Sequence, residues 1–398
     1  ADFERALSLD ARNAEAMFGR ANTLFHLKRM TEAHEACEAV LRIAPGREDA
    51  QSLALRCRLH ACDWRDYENG KARIAAGLDA GRPIVSPLDA KAVCTSEAEN
   101  AQAAHLWMTE ACPPAITPLW RGEAYRHGKI RLAYLSSDFR THAVASLVAG
   151  VFEHHVRDRF ETIAVSFGPD DGSGMRRRIS AAVDRFIDAR TMSDNDAAAQ
   201  LRALEIDIAV DLNGYTGDAR TRIFAARPAP IQVNYLGFPG TMGAPYMDYI
   251  IADRVVIPEA NAGHYTEKVV YLPHTYQPND HMRRAAERMP TRAEAGLPEH
   301  GFVFACFNNS YKIAPEIFGI WMHLVRETPH SVLWLLADNP TAADNLRREA
   351  AARGIDAARL VFAPRVSPED HLARHCLADL FLDTRPYNAD RKSTRLNS

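Results

Sequence analysis

The sequence predicts an α/β protein with two Rossmann-like parallel sheets in tandem, preceded by an all-α segment of helical repeats. Three observations lead to this fold class. Apolar runs of strand length alternate with helical patterns from Lys129 onward, and a second such series begins near Gly301. Upstream of both series, residues 1–62 repeat themselves with a shift of 34 residues.

The shift of 34 residues is the period of the tetratricopeptide repeat. Under this shift Leu7 corresponds to Leu41, and one full copy covers residues 14–45. That copy has small residues, Ala21 and Ala33, where its two helices must cross. A single unit cannot bury its apolar face, so we interpret the segment as the end of a longer superhelical array whose concave side holds peptide. The alternative, that these helices only cap the next domain, is equally open.

Changes of pattern along the chain predict the domain boundaries. The segments are repeats at 1–62, a proline-broken helical connector at 63–128, a first sheet domain at 129–283, a second at 284–388, and a tail at 389–398. The tail lacks apolar periodicity and resembles foreign sequence.

Short apolar runs predict the strands of both domains. Those of the first domain are 130–135, 160–167, 206–212, 231–236 and 249–252. Those of the second are 302–307, 331–336, 359–362 and 379–382. Two such domains make a cleft, and open α/β sheets bind ligands at the carboxyl ends of their strands.

Composition restricts the class of protein. The chain is 47% hydrophobic and 25% charged with a net charge of -3, which gives no basic surface for nucleic acid. No apolar run approaches about 18 residues, so no membrane span is predicted. The seven cysteines lack CxxC spacing, which favours reduced thiols in a cytoplasmic protein and argues against zinc. The chain opens without Met on a mid-helix pattern, so an upstream targeting segment is an open alternative.

The corner after the strand at 302–307 has the composition of an anion site. A polar turn contains Lys312, and Pro315 then fits the first position of a helix whose apolar series is Ile317, Ile320, Trp321 and Leu324. A helix N-terminus beside a lysine favours phosphate. The alternative is that Lys312 is a solvated surface charge.

Three polar corners follow strands of the first domain. They are Ser136 to His142, Asp211 to Thr216, and the glycine-dense loop Gly237 to Gly243. His142 is a candidate proton acceptor because histidine titrates near working pH, although a structural histidine is the commoner case. The glycines of the third corner allow a ligand to approach the backbone closely.

In the second domain His371 and His375 lie one helical turn apart. This spacing can hold a metal, but no HExxH frame or further ligand accompanies the pair. Contact with a nucleoside is therefore the preferred interpretation.

Seven separated motifs, in order, together resemble the protein O-linked N-acetylglucosamine transferases. They are LSSDFRTH (135–142), DLNGYT (211–216), RPAPIQVNYLGFPGTMG (227–243), YTEKVVYLPHTYQPND (265–280), CFNNSYKIAPE (306–316), SVLWLL (331–336) and EDHLARHCLADLFLDT (369–384). The match is closest to bacterial tetratricopeptide members, which are similar to the plant SPINDLY group, and it extends to Asn388.

The resemblance implies a GT-B glycosyltransferase that inverts the anomeric centre and needs neither metal nor cofactor. Its donor is UDP-GlcNAc and its acceptors are Ser and Thr hydroxyls of proteins. By this resemblance Lys312 neutralises the donor diphosphate, and His142 activates the acceptor or positions the sugar. The implied nucleotide-sugar residues are Asn309, Lys312, His371, Arg374, Asp383 and Thr384. The implied acceptor or sugar-loop residues are Asp138, Tyr215, Gly237, Pro239, Gly240 and Thr241.

The sequence departs from the family pattern at three places. The family's glutamine before the lysine is Asn309 here, and a histidine of some animal members is Asp207, which leaves the general base open. After Asn388 the family continues with a His-Thr-Thr turn and a diphosphate-binding helix, which this sequence lacks. We therefore expect this chain to be a truncated fragment that is inactive by itself. Two alternatives are open: a SPINDLY-like fucosyltransferase using GDP-fucose, and a non-catalytic tetratricopeptide scaffold.

Overall fold

The computed structural model describes residues 2–388, so the predicted tail lies outside the described residues. The chain divides into two compact units. The first comprises the described parts of residues 1–85, 89–95 and 284–398, and the second comprises 86–88 and 96–283. The helical repeats thus belong to the same compact unit as the second sheet.

The repeat segment consists of four helices: α1 (Asp2–Leu9), α2 (Ala14–His26), α3 (Met30–Ile43) and α4 (Glu48–His60). α4 begins 34 residues after α2, in agreement with the predicted period. Ala21 and Ala33 are fully buried in one apolar cluster, which confirms the predicted close crossing of α2 and α3.

The predicted connector contains α5 (Tyr67–Asp79), α6 (Pro87–Val93) and α7 (Glu97–Ala111). α5 belongs to the first compact unit and α7 to the second. The connector is thus shared between the two units, and the sequence-based domain boundaries stay predictions.

The second unit contains a seven-stranded parallel sheet. Its strands are β1 (Ile130–Ser136), β2 (Phe160–Ser166), β3 (Arg185–Asp188), β4 (Ile208–Asp211), β5 (Ile231–Asn234), β6 (Tyr249–Ala252) and β7 (Lys268–Tyr271). The strand order is β3-β2-β1-β4-β5-β6-β7. Four helices connect them: α8 (Ala143–Glu153), α9 (Gly174–Ala182), α10 (Asp194–Ala203) and α11 (Arg222–Ala225).

Five of these seven strands agree with the sequence-based prediction, and β3 and β7 were not predicted. Both are four-residue strands at the two edges of the sheet, and neither contains a fully buried residue. Since an edge strand need not bury both faces, it need not show the continuous apolar run of an interior parallel strand.

The first unit contains a four-stranded parallel sheet. Its strands are β8 (Val303–Cys306), β9 (Val332–Leu336), β10 (Leu360–Ala363) and β11 (Leu380–Phe381), in the order β10-β9-β8-β11. Its helices are α12 (Pro315–Glu327), α13 (Pro340–Ala352) and α14 (Pro368–Arg374). All four strands match the prediction to within two residues at each end.

The buried face of α12 overlaps the predicted apolar series but is rotated from it. Trp321 is buried and Ile317 and Leu324 are partly buried against the same cluster, but Ile320 is 55% exposed. The helix begins at Pro315 as predicted, and Phe318, Met322 and Val325 are buried in addition. Both apolar series fit a 3.6-residue period, so periodicity alone could not choose between them.

Within residues 2–388, no helix combines the length and the apolar character that a membrane span requires. The seven cysteines form no disulfide, and Cys376 alone among them is exposed.

Candidate functional site

The polar turn after β8 lies at the carboxyl edge of the four-stranded sheet. A short 3-10 helix, Ser310–Lys312, follows the strand, and α12 then begins with Pro315 at its first position. The N-cap residue, Ala314, has no polar side chain with which to cap the first backbone N–H groups. The predicted arrangement of strand, polar turn, lysine and helix is therefore present.

Lys312 is half-buried rather than a freely solvated charge. Its Nζ lies 3.4 Å from the centroid of the Tyr387 ring and donates to Asn388 O at 2.9 Å. A cation over an aromatic face is held by the ring quadrupole. The ammonium is thus fixed beside the residues that follow β11.

Side chains after β8 and β11 join because these two strands are parallel neighbours. Asn308 is buried, and its Nδ2 donates to Thr384 Oγ1 at 2.8 Å and to Asp383 Oδ1 at 3.2 Å. Thr384 Oγ1 in turn donates to Tyr387 O at 2.7 Å. This network sets the position of the ring beneath Lys312.

Arg374 is a buried cation at the same edge of the sheet, 6% exposed. Its guanidinium lies 4.4 Å from the Phe307 ring centroid and donates to Pro364 O at 2.7 Å and to His371 Nδ1 at 2.6 Å. Arginine can only donate, so His371 Nδ1 accepts and its proton is on Nε2.

No carboxylate of the described chain pairs with Arg374, and its Nε has no hydrogen-bond acceptor. Burial and the nearby Arg365 lower the pKa of Arg374 to about 10. A buried cation without a counter-charge is destabilising unless a ligand compensates it. The cluster can therefore accept an anionic or carbonyl-rich ligand.

The histidine pair is arranged for hydrogen bonding. His371 Nδ1 is used by Arg374, and His375 Nδ1 donates to His371 O at 2.5 Å. In residues 2–388 no group of three His, Cys, Asp or Glu side chains is placed to hold a metal ion.

In the seven-stranded sheet, His142 caps the N-terminus of α8 and meets Asp138. Its Nδ1 lies 3.3 Å from Asp138 Oδ2 and 3.3 Å from the backbone N of Val144. Its side chain is 38% exposed, whereas that of Asp138 is 9% exposed. A half-exposed imidazole oriented by a buried carboxylate is suited to proton transfer.

The corners after β1, β4 and β5 contact one another. Asn213 Nδ2 lies 3.4 Å from Asp138 Oδ2, and its Oδ1 accepts from the Ser137 N–H at 2.8 Å. A Cβ on Gly237 would lie 2.1 Å from Leu212 O, so only glycine permits this backbone approach. The three predicted corners therefore lie together in the structure, joined in part by Asn213, to which the sequence analysis gave no role.

Side-chain hydrogen bonds fix the conformation of the loop at 237–243. Tyr215 Oη donates to Met242 O at 2.7 Å, Asn234 Nδ2 donates to Gly240 O at 3.0 Å, and Thr241 Oγ1 donates to Glu267 at 2.6 Å. The hydroxyls of Tyr215 and Thr241 thus shape the loop, and Pro239 is its half-buried member.

The structural roles of two carboxylates, Glu267 and Asp207, could not be predicted from the residue type alone. Glu267 is 3% exposed and also accepts from the Met242 N–H at 2.8 Å, so it is a principal support of the loop. Its neighbours Thr266 and Lys268 are polar, so no local pattern distinguished it from a surface glutamate. Asp207 lies just before β4, at the amino end of the strand, where it accepts from the Arg131 N–H at 2.8 Å. It is therefore at the opposite end of the strand from Asn213.

Asp211 gives a prediction about stability. This carboxylate is 2% exposed and accepts from the N–H groups of Asn213 and Gly214 at 2.8 and 3.0 Å. Burial raises its pKa to about 6, against the lowering effect of those two hydrogen bonds. A raised folded-state pKa gives stability that is present below about pH 4 and lost as pH rises through about 6.

We expect Asp211→Asn to raise the free energy of unfolding at pH 7 by up to about 3 kcal/mol, with little gain at pH 4. Urea unfolding at both pH values measures this. Asp253→Asn is a contrasting control and should lower the free energy of unfolding, because Asp253 accepts from three backbone N–H groups through both oxygens and an amide can accept through one only. A lower free energy of unfolding for Asp211→Asn at pH 7 would contradict the assignment.

Comparison with known proteins gives consistent findings. The sequence pattern of glycosyl transferase family 41 matches residues 117–288 and 284–394. A probable UDP-N-acetylglucosamine--peptide N-acetylglucosaminyltransferase (SEC) of Arabidopsis thaliana is 38% identical over 286 residues, which are 71% of this chain and 29% of that protein. The UDP-N-acetylglucosamine--peptide N-acetylglucosaminyltransferase of Caenorhabditis elegans is 26% identical over 449 residues, 81% of this chain and 39% of that protein.

A solved structure extends the likeness to the fold. It is a lysine-to-methionine mutant of the Thermobaculum terrenum O-GlcNAc transferase, 25% identical with a TM-score of 0.76, covering 97% of this chain and 74% of that one. The chain spans less than two fifths of the length of either curated relative.

Proposed function

Because this chain belongs to glycosyl transferase family 41, we propose that it carries the catalytic region of an enzyme that moves N-acetylglucosamine from UDP-GlcNAc to Ser or Thr hydroxyls of proteins. The predicted fold class, a GT-B type with two Rossmann-like domains after a helical repeat segment, is confirmed. The observation that carries the proposal is the pair of cations, Lys312 and Arg374, at the carboxyl edge of the second sheet.

In the proposed reaction the donor nucleotide lies on that edge. Arg374 donates to His371 Nδ1 and so keeps the His371 proton on Nε2, from which the histidine donates to the nucleoside. Lys312 and the first turn of α12 face the diphosphate. As the sugar departs, negative charge grows on the diphosphate, and a fixed ammonium stabilises it without reorganisation.

On the acceptor side, the hydroxyl attacks the anomeric carbon and loses a proton. His142 is proposed to take that proton on Nε2, with Nδ1–H donating to Asp138. A protonated Nδ1 cannot accept from Val144, so the two contacts at 3.3 Å correspond to different protonation forms of the ring. Glu267 holds the glycine loop that shapes this region.

The repeats are proposed to hold the acceptor peptide. A cavity of about 550 Å³ lies among α3, α4 and α5, with an apolar lining that includes Leu41, Leu55 and Ile74 and a charged one that includes Arg58 and Asp66. Apolar walls with a few polar groups suit a peptide side chain. We also propose that the reaction needs no metal and that the protein works in the cytoplasm, where its cysteines stay reduced.

Competition between nucleotides tests the donor assignment. We expect UDP to inhibit transfer by the full-length protein. We also expect UDP to bind at least about tenfold more tightly than GDP, a difference in binding free energy of about 1.4 kcal/mol. Tight GDP binding without UDP binding would point instead to a GDP-fucose donor. Binding of neither nucleotide would favour a tetratricopeptide scaffold without transferase activity.

A further inference from the structure

The turn that carries Lys312 is tied to the helical repeats through one buried carboxylate. Asp338 follows β9, and its side chain is 5% exposed. Its Oδ1 accepts from Lys28 Nζ at 2.7 Å and from an Arg365 guanidinium N–H at 2.9 Å, and its Oδ2 lies 3.1 Å from Ser310 Oγ. Burial opposes ionisation of Asp338, but hydrogen bonds from Lys28 and Arg365 outweigh it and lower its pKa. Asp338 is therefore charged and bound from three sides.

The three partners of Asp338 belong to different segments of the first compact unit. Lys28 belongs to the turn between α2 and α3, 310 residues earlier in the chain. Ser310 opens the 3-10 helix that contains Lys312. Arg365 also donates to Asn309 Oδ1 at 3.1 Å. The carboxylate thus joins a repeat turn to the residues directly before Lys312.

A second set of contacts ends at the same turn. His60 O, at the end of α4, lies 2.7 Å from Ser310 Oγ and accepts from Asn339 Nδ2 at 2.8 Å. The His60 ring packs 5.1 Å from the Phe25 ring and 4.9 Å from the Tyr311 ring. Backbone and ring contacts from α2 and α4 therefore reach the residue next to Lys312.

We propose that the helical repeats are a structural part of the donor site, and that Lys28 and Asp338 are positioning residues for the turn bearing Asn309 and Lys312. This rests on the proposed donor site at that turn. Within the sheet, the turn that bears Asn309 and Lys312 is attached through β8. The repeats add the contacts from Lys28, by way of Asp338, and from His60. Loss of the Lys28–Asp338 ion pair should therefore weaken donor binding, whereas the residues that act in the chemical step are still present.

The experiment measures UDP affinity, kcat and thermal unfolding for variants of the full-length protein. We expect Lys28→Gln to weaken UDP binding about threefold to fivefold, the range for a partly exposed ion pair, with kcat at saturating donor within about twofold. Lys28→Arg should restore UDP affinity. Asp338→Asn should weaken binding about tenfold, because both charged partners lose their acceptor.

Arg29→Gln is the matched control. Arg29 is the neighbour of Lys28 in the same turn and also forms an ion pair, but its partner Glu32 belongs to the repeat segment itself. We expect Arg29→Gln to bind UDP as the wild type does, and Lys28→Gln/Asp338→Asn to bind no more weakly than Asp338→Asn alone. Equal UDP affinities of Lys28→Gln and wild type, or an equal loss in Arg29→Gln, would overturn the positioning role. A wild-type protein that binds no UDP would instead refute the proposed donor site itself.

Discussion

Replacing Lys312 by alanine should lower kcat for sugar transfer by about a hundredfold to a thousandfold, the effect of removing one fixed group that stabilises transition-state charge. The ammonium is held over the Tyr387 ring at 3.4 Å, so its position does not depend on the substrate. Because charge on the diphosphate grows as the bond breaks, the loss should fall mainly on kcat. Initial rates at saturating donor and acceptor measure it.

The Lys312 experiment needs two controls. Lys91→Ala removes a half-buried lysine of α6 in the same compact unit and should leave kcat unchanged. The free energy of unfolding of Lys312→Ala should fall by no more than about 1 kcal/mol, since the cation–π contact with Tyr387 and the exposed hydrogen bond to Asn388 O are each weak. Transfer at the wild-type rate by Lys312→Ala would remove this residue from the mechanism.

Replacing Arg374 by methionine should have opposite effects on binding and on stability. Arg374 is 6% exposed and lacks a counter-charge within the described chain, so methionine should leave the free energy of unfolding unchanged or raise it. UDP affinity should fall about a hundredfold, because a charged hydrogen-bonding group is worth roughly 1.5 to 3 kcal/mol. Calorimetric titration with UDP and urea unfolding measure the two quantities.

Arg347→Met is the matched control for Arg374. Arg347 likewise lies over an aromatic ring, 4.7 Å from the Phe362 centroid, but it is 45% exposed and lies on α13. Its replacement should leave UDP affinity unchanged. If Arg374→Met binds UDP as the wild type does, Arg374 is a packing residue only.

Interior strands and the helix start at Pro315 could be predicted from sequence because each is encoded locally. β8 is four consecutive buried residues, which produces an unmistakable apolar run. β3 and β7 are edge strands whose exposed positions remove that signal. The rotation of α12 depends on which side chain the sheet accommodates, and no local pattern contains this information.

The same distinction applies to the sites. The sequence predicted Lys312, His142 and the glycine loop as site residues because turns after strands meet at one edge of a parallel sheet. It could not identify Asp338, whose partner Lys28 is 310 residues away, or the burial of Arg374 in a helix that begins with charged residues. Both depend on tertiary contacts between distant segments.

A crystal structure of the full-length protein with UDP tests the proposed donor site. We expect a diphosphate oxygen within about 3.2 Å of Lys312 Nζ, the distance of a charge-assisted hydrogen bond, and the nucleoside against His371 and Arg374. UDP bound elsewhere, with Lys312 still donating to Asn388 O, would contradict it.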